Sequence, residues 1–347
     1  MIIVLIAGGS GTRLWPLSTP DFPKHLLTIN GDKKSLLQNT YDRAKRLTDS
    51  IYVVPEIGHA DHVKKQLPDL KEDAYIVEPA RRGTASCIIA ALQHISTRHD
   101  PDESIVFLSA DHYIRDVDGF VHSFRVATDM AQKQRRIVLV GVEPDNPATG
   151  FGYIQKGELF DEESFVFNVH SFREKPAYDV AKEYVSSGNY LWNCGYFVGS
   201  LNIFKNVMQK HAPSMREDYE RLLQTRTEDD YQSVYLSFEN NTIDYALIEH
   251  VDDLLVVPAS FDWMDLGSFG DLHRAVLNDE LGNHVGGNVE IEGVENSFIQ
   301  NHDTKPLAVI GLDNIVVINT KNGILVARKD LAQKVGEVSK RIMSNQK

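Results

Sequence analysis

Three glycines in four positions, Gly8, Gly9 and Gly11, follow the apolar run Ile2-Ile3-Val4-Leu5-Ile6 and Ala7. Without side chains in the way, the backbone N–H groups of such a turn can surround an anion. Thr12 and Arg13 close the turn and Lys24 follows Pro23, so two cations flank it. The chemistry this suits is the holding of phosphate. Neither common phosphate loop fits. A Walker A loop ends in Gly-Lys-Ser/Thr, whereas Gly11 is followed by Thr12-Arg13, and a dinucleotide fingerprint needs a small residue where Leu14 stands and a helix at once. Pro16 pushes Trp15 out of helical dihedrals, so the chain is expected to leave the loop extended.

Two carboxylates are candidates for a divalent cation. Asp111, in Ser109-Ala110-Asp111-His112, directly follows a buried strand, a place suited to holding Mg²⁺. Asp265 lies in Phe261-Asp262-Trp263-Met264-Asp265-Leu266-Gly267, with Asp262 as a nearby rival. Taken alone, Asp111 reads first as the N-cap of a helix near Phe120, and Asp265 as a turn residue before Gly267. Their presence together strengthens the metal reading.

Five further stretches carry polar groups at element ends. Glu78-Pro79-Ala80-Arg81-Arg82-Gly83-Thr84-Ala85 stands between a strand and a helix that Thr84 or Ser86 could cap. Pro147 to Ile154 is a second glycine-rich turn containing Gly152, readable equally as a hairpin. Glu174-Lys175-Pro176 can be a solvated strand end. Trp192-Asn193-Cys194-Gly195 places an amide among apolar residues, and Thr242-Ile243-Asp244-Tyr245-Ala246 offers an acid that could also cap a helix. Cys194 has no partner base and is not a nucleophile candidate. The histidines show no zinc-site spacing, and His59 and His62 read as solvated.

The elements that must position these groups follow from periodicity. Residues 1 to about 145 alternate strand and helix patterns, which predicts a parallel α/β sheet with ligands beyond the carboxyl ends of its strands. Strands are expected at Ile51–Val54, Ala74–Val77, Ser104–Leu108 and Ile137–Val140, and the glycine loop, Asp111 and Glu143 all fall on that edge. From about 150 to 270 the pattern is mixed. After about residue 283, short strands follow one another as far as Ala327, without a clean repeat period, and a helix is expected from Asp330 to Met343.

The 347 residues allow two domains, and the 42% hydrophobic and 24% charged content is that of a soluble globular chain. A net charge of −13 argues against nucleic acid as a partner, so any anionic substrate depends on a few placed cations. No apolar run approaches a membrane span, and the N-terminal run lacks a basic leader. Two distant cysteines, Cys87 and Cys194, read as buried thiols of a cytoplasmic protein.

The loop, with Arg13-Leu14-Trp15-Pro16-Leu17-Ser18 and Pro23-Lys24, resembles the signature of the sugar-1-phosphate nucleotidylyltransferases, in their mannose-1-phosphate guanylyltransferase branch. The later motifs occur in that family's order: Glu78-Pro79, Ala110-Asp111-His112, Thr149-Gly150-Phe151-Gly152-Tyr153, Glu174-Lys175-Pro176, Trp192-Asn193-x-Gly195, Ile243-Asp244-Tyr245 and Trp263-x-Asp265-x-Gly267. The resemblance implies a Rossmann-like (GT-A-like), mixed, mostly parallel sheet over residues 1–280. It also implies a short left-handed β-helix ending in a helix over 281–347, often a dimerisation module. Some members append a cupin-like isomerase domain, which is not expected in this chain.

The reaction implied is attack by mannose 1-phosphate on the α-phosphorus of GTP, giving GDP-mannose and pyrophosphate. Ala7, Gly8, Gly9, Gly11, Thr12, Glu78, Gly83 and Asp111 would bind the nucleotide. Ionised Glu78 would accept from the donors of guanine, and Gly83 stands where the family usually has Asn. Arg13 and Lys24 would be catalytic, stabilising charge on the α- and leaving phosphates. Gly152, Glu174, Lys175, Asn193 and Asp244 would hold the sugar phosphate, and Asp111 and Asp265 would bind Mg²⁺. Two other readings stay open: another nucleotide and hexose 1-phosphate pair, and a catalytically silent regulatory paralogue.

Overall fold

Strand β1 (Ile2–Ala7) is an unbroken apolar run whose side chains are buried almost throughout. A strand of that kind belongs inside a sheet covered on both faces. The computed structural model describes residues 1–9, 11–29 and 33–345, so Ser10 of the glycine loop lies outside the described residues. In it, β1 runs parallel to β2 (Ile51–Pro55) on one side and to β3 (Ser104–Ser109) on the other. Strands β4 (Val138–Val142), β5 (Gly152–Asp161), β6 (Val166–Arg173), β7 (Tyr190–Ser200) and β8 (Leu255–Pro258) complete an eight-stranded sheet of order β2-β1-β3-β7-β4-β8-β6-β5. β7 and β6 run against the other six strands, so the sheet is mixed, with most of its strands pointing one way. β5 also pairs with the first half of β7, so β7, β4, β8, β6 and β5 form a closed ring of pairings.

Alternate residues of the central strands feed two cores. Ile2, Val4, Ile105 and Phe107 face one that includes the helix Gly83–Ser96, while Ile3, Leu5, Val106 and Leu108 face another that includes Leu36–Lys45 and Val117–Gln134. The segment Ala74–Val77 does not form the expected strand. A 3-10 turn at Glu72–Ala74 and Pro79 beyond it leave room only for single bridges, Val53 to Tyr75 and Glu56 to Glu78.

The C-terminal region coils. β9 (His284–Gly286), β11 (Phe298–Asn301) and β13 (Ile315–Thr320) stack in parallel in one sheet, and β10 (Val289–Glu292) and β12 (Leu307–Ile310) stack in another. The turns are unequal: β11 to β13 and β10 to β12 are offset by 18 residues, with Asn319 bonding Asn301 and Ile315 bonding Ser297, whereas β9 to β11 is offset by 14. No single period runs through the coil, which is why none is readable in the sequence. β14 (Gly323–Arg328) closes the coil as an antiparallel hairpin on β13. The helix expected from Asp330 is a 3-10 stretch, Lys329–Lys334, followed by the α-helix Val335–Ser344. This end of the chain is packed against the first domain: Leu14, Trp15 and Leu266 share a core with Phe298, Val316, Leu325 and Val335. Among the described residues, no helix is long and apolar enough to cross a membrane.

Candidate active site

The glycine loop, Asp111 and Glu143 follow β1, β3 and β4 directly, on one edge of the sheet. Trp15 leaves the loop extended, with ψ 137°. The loop walls a cavity of about 230 Å³, lined by Gly8, Gly9, Gly11, Thr12, Arg13, Lys24, Arg81, Asp111 and Gly267 among others. A side chain added at Gly8 would meet nothing within 4 Å, so its backbone face is open to a ligand.

Lys24 is the hub of this site. Its side chain is buried, and its Nζ lies 2.8 Å from Asp111 Oδ2 and 3.0 Å from Asp265 Oδ1. It also donates to the backbone carbonyl of Asp265. Burial alone would lower the lysine pKa, but the two carboxylates outweigh it and raise it. Burial would likewise raise Asp111 and Asp265, yet the Lys24 charge holds both below the ordinary carboxylate range. All three groups are therefore charged at neutral pH. Arg13 Nη2 stands 3.7 Å from Asp265 Oδ2, with half of its side chain exposed to the cavity.

Asp111, His112 and Asp265 offer ligand atoms that all lie within 4.8 Å of one another and could hold a metal ion. Two ionised carboxylates fit a hard divalent cation that completes its shell with water and phosphate oxygens. Ser109 Oγ donates to Asp111 Oδ1 at 2.7 Å, and the ring of His112 is oriented by Tyr196 at 2.7 Å, which is how outer groups fix ligands. Burial lowers the His112 pKa, keeping its imidazole neutral. Asp111 is not the helix cap; Asp116 is, accepting from Gly119 N. Asp262 is also set aside, since it bonds Arg115 and the N–H of Asp116.

The residues expected at the sugar converge on one another. Asn193 Nδ2 donates to Asp244 Oδ1 at 2.7 Å, and Lys175 Nζ donates to Glu174 Oε1 at 2.5 Å. Glu174 Oε2 is buried with no partner, aimed across Gly152 toward Asn193, as a group awaiting a donor would be. Burial pushes Asp244 up to about 6, with the Glu174 charge adding to it. Burial works against the Lys175 ammonium, but Glu174 lifts its pKa. Asp244 does not cap its helix; Thr242 does.

Glu78 and Gly83, expected at the nucleotide, are not among the residues that line the glycine-lined cavity. Glu78 is buried away from the glycine-lined cavity, and its carboxylate accepts from the Tyr235 hydroxyl. Burial pushes its pKa up to about 7, so it is only partly ionised at neutral pH. Gly83 opens the helix with φ +82°, and a Cβ there would collide with the Asn241 carbonyl, so its glycine serves a close backbone approach. Thr84 and Ser86 are not caps either; Thr84 Oγ1 accepts from Ile243 N.

Several residues of the site carry no role in the sequence reading. His112 adjoins Asp111 and is signalled by the Asp-His pair. Arg81, within 3.9 Å of the space above Gly9, is signalled by its place after Glu78-Pro79. Arg274 and Gln333 line a second cavity of about 520 Å³ that shares Arg13 and Gly267 with the first and adds Asp265, and nothing in their local sequence marks them. His59, read as solvated, is buried and bonds Pro20 O at 2.5 Å, because the loop after the signature covers its helix. Cys87 and Cys194 are buried free thiols.

Residues 2–281 match the model of the nucleotidyl transferase family. The chain belongs to this family. Residues 286–342 match a MannoseP isomerase/GMP-like beta-helix domain, in agreement with the coil described above. Mannose-1-phosphate guanylyltransferase of Klebsiella pneumoniae is 34% identical over 100% of this chain and 75% of its own length. That of Escherichia coli K12 is 33% identical over 99% of this chain and 73% of its own. The crystal structure of a Thermus thermophilus protein, described as a mannose-1-phosphate geranyltransferase, superposes with a TM-score of 0.88 at 28% identity over 99% of both chains. The family match covers the glycine loop, Lys24, Asp111 and Asp265 within one domain.

Proposed function

We propose that this chain is a mannose-1-phosphate guanylyltransferase, transferring GMP from GTP to alpha-D-mannose 1-phosphate to give GDP-mannose and pyrophosphate. The observation that carries the reading is the Lys24 ammonium joining Asp111 and Asp265 at the rim of the glycine-lined cavity. The full-length relatives named for this activity supply the substrate pair.

In this reading, the backbone of Ala7, Gly8, Gly9, Gly11 and Thr12 cradles the triphosphate. A phosphate oxygen of mannose 1-phosphate attacks the α-phosphorus in line, and the bond to the β-phosphate oxygen breaks. Arg13 and Lys24 stabilise charge on the α- and leaving phosphates, acting as fixed dipoles and charges do in a water-poor site. Glu78 and Gly83 shape the base side. Gly152, Glu174, Asn193 and Asp244 hold the sugar hydroxyls, and Lys175 orients the attacking phosphate. Asp111 and Asp265 would hold Mg²⁺, which when bound supplies charge neutralisation between phosphate oxygens.

We further assign residues 1–280 to transfer and 281–347 to the β-helix domain. A homodimer through the latter is supported by the exposed apolar side chains of Ile310, Ile324 and Val326, at 69%, 64% and 64% exposure. Sedimentation of the wild type against Ile324→Lys checks it. The free buried thiols support a cytoplasmic setting.

The deciding experiment measures pyrophosphate release from four nucleoside triphosphates against several hexose 1-phosphates, with and without EDTA. Turnover confined to GTP with mannose 1-phosphate, and lost in EDTA, is expected. Turnover with a different pair alone overturns the substrate assignment, and no release from any pair overturns the activity.

A further inference from the structure

The loop that carries Arg13 is held from behind by the far end of the chain. Thr12–Leu14 is a single 3-10 turn with no side-chain cap of its own. Arg13 has a half-exposed side chain, and its ion pair with Asp265 is long at 3.7 Å. A head group so loosely tied depends on its backbone and stem for placement. Both are contacted by the helix Val335–Ser344.

Two residues of that helix make the contact. The buried Ser339 hydroxyl lies 3.1 Å from Thr12 O and 3.0 Å from Gly336 O, so its proton is shared between the two carbonyls. Gly336, one turn earlier, turns its bare Cα toward Arg13. A methyl there would sit 3.1 Å from Arg13 Cγ and 3.7 Å from its Cα. Gly336 is the second residue of the helix, and the close approach of Arg13 supplies a physical reason for a residue without a side chain at this place. Gln333, just before the helix, lines the cavity that Arg13 and Asp265 share.

We infer that Gly336 and Ser339 are positioning residues for Arg13, so that the C-terminal helix sets the catalytic geometry of the phosphate loop across the domain boundary. The inference rests on the role proposed above for Arg13 at the triphosphate. It gives the C-terminal domain a part in the transfer step within the same subunit, separate from any part in assembly.

Gly336→Ala discriminates between positioning and mere support, because alanine favours the helix while its methyl crowds Arg13. Its melting temperature is expected to hold or rise while kcat falls. Gly336→Val is expected to cost roughly tenfold or more in kcat, the scale of a small misplacement of a catalytic group, with KM for mannose 1-phosphate unchanged. Ser339→Ala is expected to lower kcat in the same direction. The decisive readout is a double-mutant cycle with Arg13→Ala. A residue that acts through Arg13 adds no further loss in the Arg13→Ala background, whereas a general structural defect adds its full cost. If Arg13→Ala lowers kcat but Gly336→Val and Ser339→Ala, both folded, keep the wild-type value or add their cost in both backgrounds, the positioning inference fails alone. If Arg13→Ala itself keeps the wild-type kcat, the role of Arg13 fails and this inference fails with it.

Discussion

Lys24 and Asp111 form an ion pair of 2.8 Å, and the lysine side chain is shielded from water on nearly every side. A charge held there costs desolvation and persists because Asp111 and Asp265 compensate it. Such a preorganised cation is well suited to stabilise phosphate charge that grows during transfer. Lys24→Ala is therefore expected to lower kcat by on the order of 10²- to 10³-fold, with little change in KM for mannose 1-phosphate. Steady-state kinetics varying each substrate in turn checks this. A wild-type kcat in a folded variant defeats the assignment.

Glu78 gives a pH signature of its own. Its folded pKa is raised to about 7 by burial, above the ordinary value of 4.5. The native state therefore holds a proton that the unfolded chain releases between those values. Stability is fully present below the unfolded pKa, declines as pH rises through the window, and levels off above about 7. Glu78→Gln removes the titration while keeping a partner for Tyr235. The variant is expected to gain on the wild type by about 1–3 kcal/mol between pH 5 and 8, as read by urea unfolding across pH. A constant difference at all pH values refutes this account.

Much of the site is legible in the sequence because its residues sit where strands end. β1 and β3 are continuous apolar runs, so the glycine loop and Asp111 fall on the ligand edge whatever the loops do. The convergence of Gly152, Glu174, Asn193 and Asp244 depends instead on β5 crossing over to pair with β7, a non-local event with no local mark. Glu78 shows the limit from the other side. The motif identifies the residue, but its direction is set by Tyr235, far along the chain on a helix that the sequence periodicity does not reveal. The coil stays hidden for the same reason, since its turns of 14 and 18 residues are joined by backbone pairing and tolerate varied outward residues.

Gly152 and Glu174 are in tight contact: a Cβ at Gly152 would intrude on Glu174 Oε2 and come within 3.2 Å of Asn193 Cβ. Glu174 Oε2 is also the buried acceptor left without a partner. Gly152→Ala should displace that carboxylate and shrink the place proposed for sugar hydroxyls. KM for mannose 1-phosphate is expected to rise roughly tenfold or more, while KM for GTP stays near wild type. An equal rise in both would mean that the turn shapes the whole cleft and not the sugar side.

Asp111 and Asp265 stay ionised well into acid, because burial, which alone would raise both, is outweighed by the Lys24 charge. Their folded pKa values lie below the unfolded ones. The stability they contribute is thus present above their ordinary value near 3.8 and is lost only as pH falls through the lower folded values. Asp265→Asn keeps the shape of the side chain and its place beside Lys24 and removes one charge from the metal set. The variant is expected to need on the order of tenfold more divalent ion for half-maximal rate and to lose roughly 10²-fold in kcat at saturation. Asp262→Asn, which touches Arg115 and the helix start instead, is expected to leave the metal requirement unchanged. Titration of activity with Mg²⁺ in both variants separates the two aspartates. A shifted requirement in Asp262→Asn alone would move the metal site to that residue.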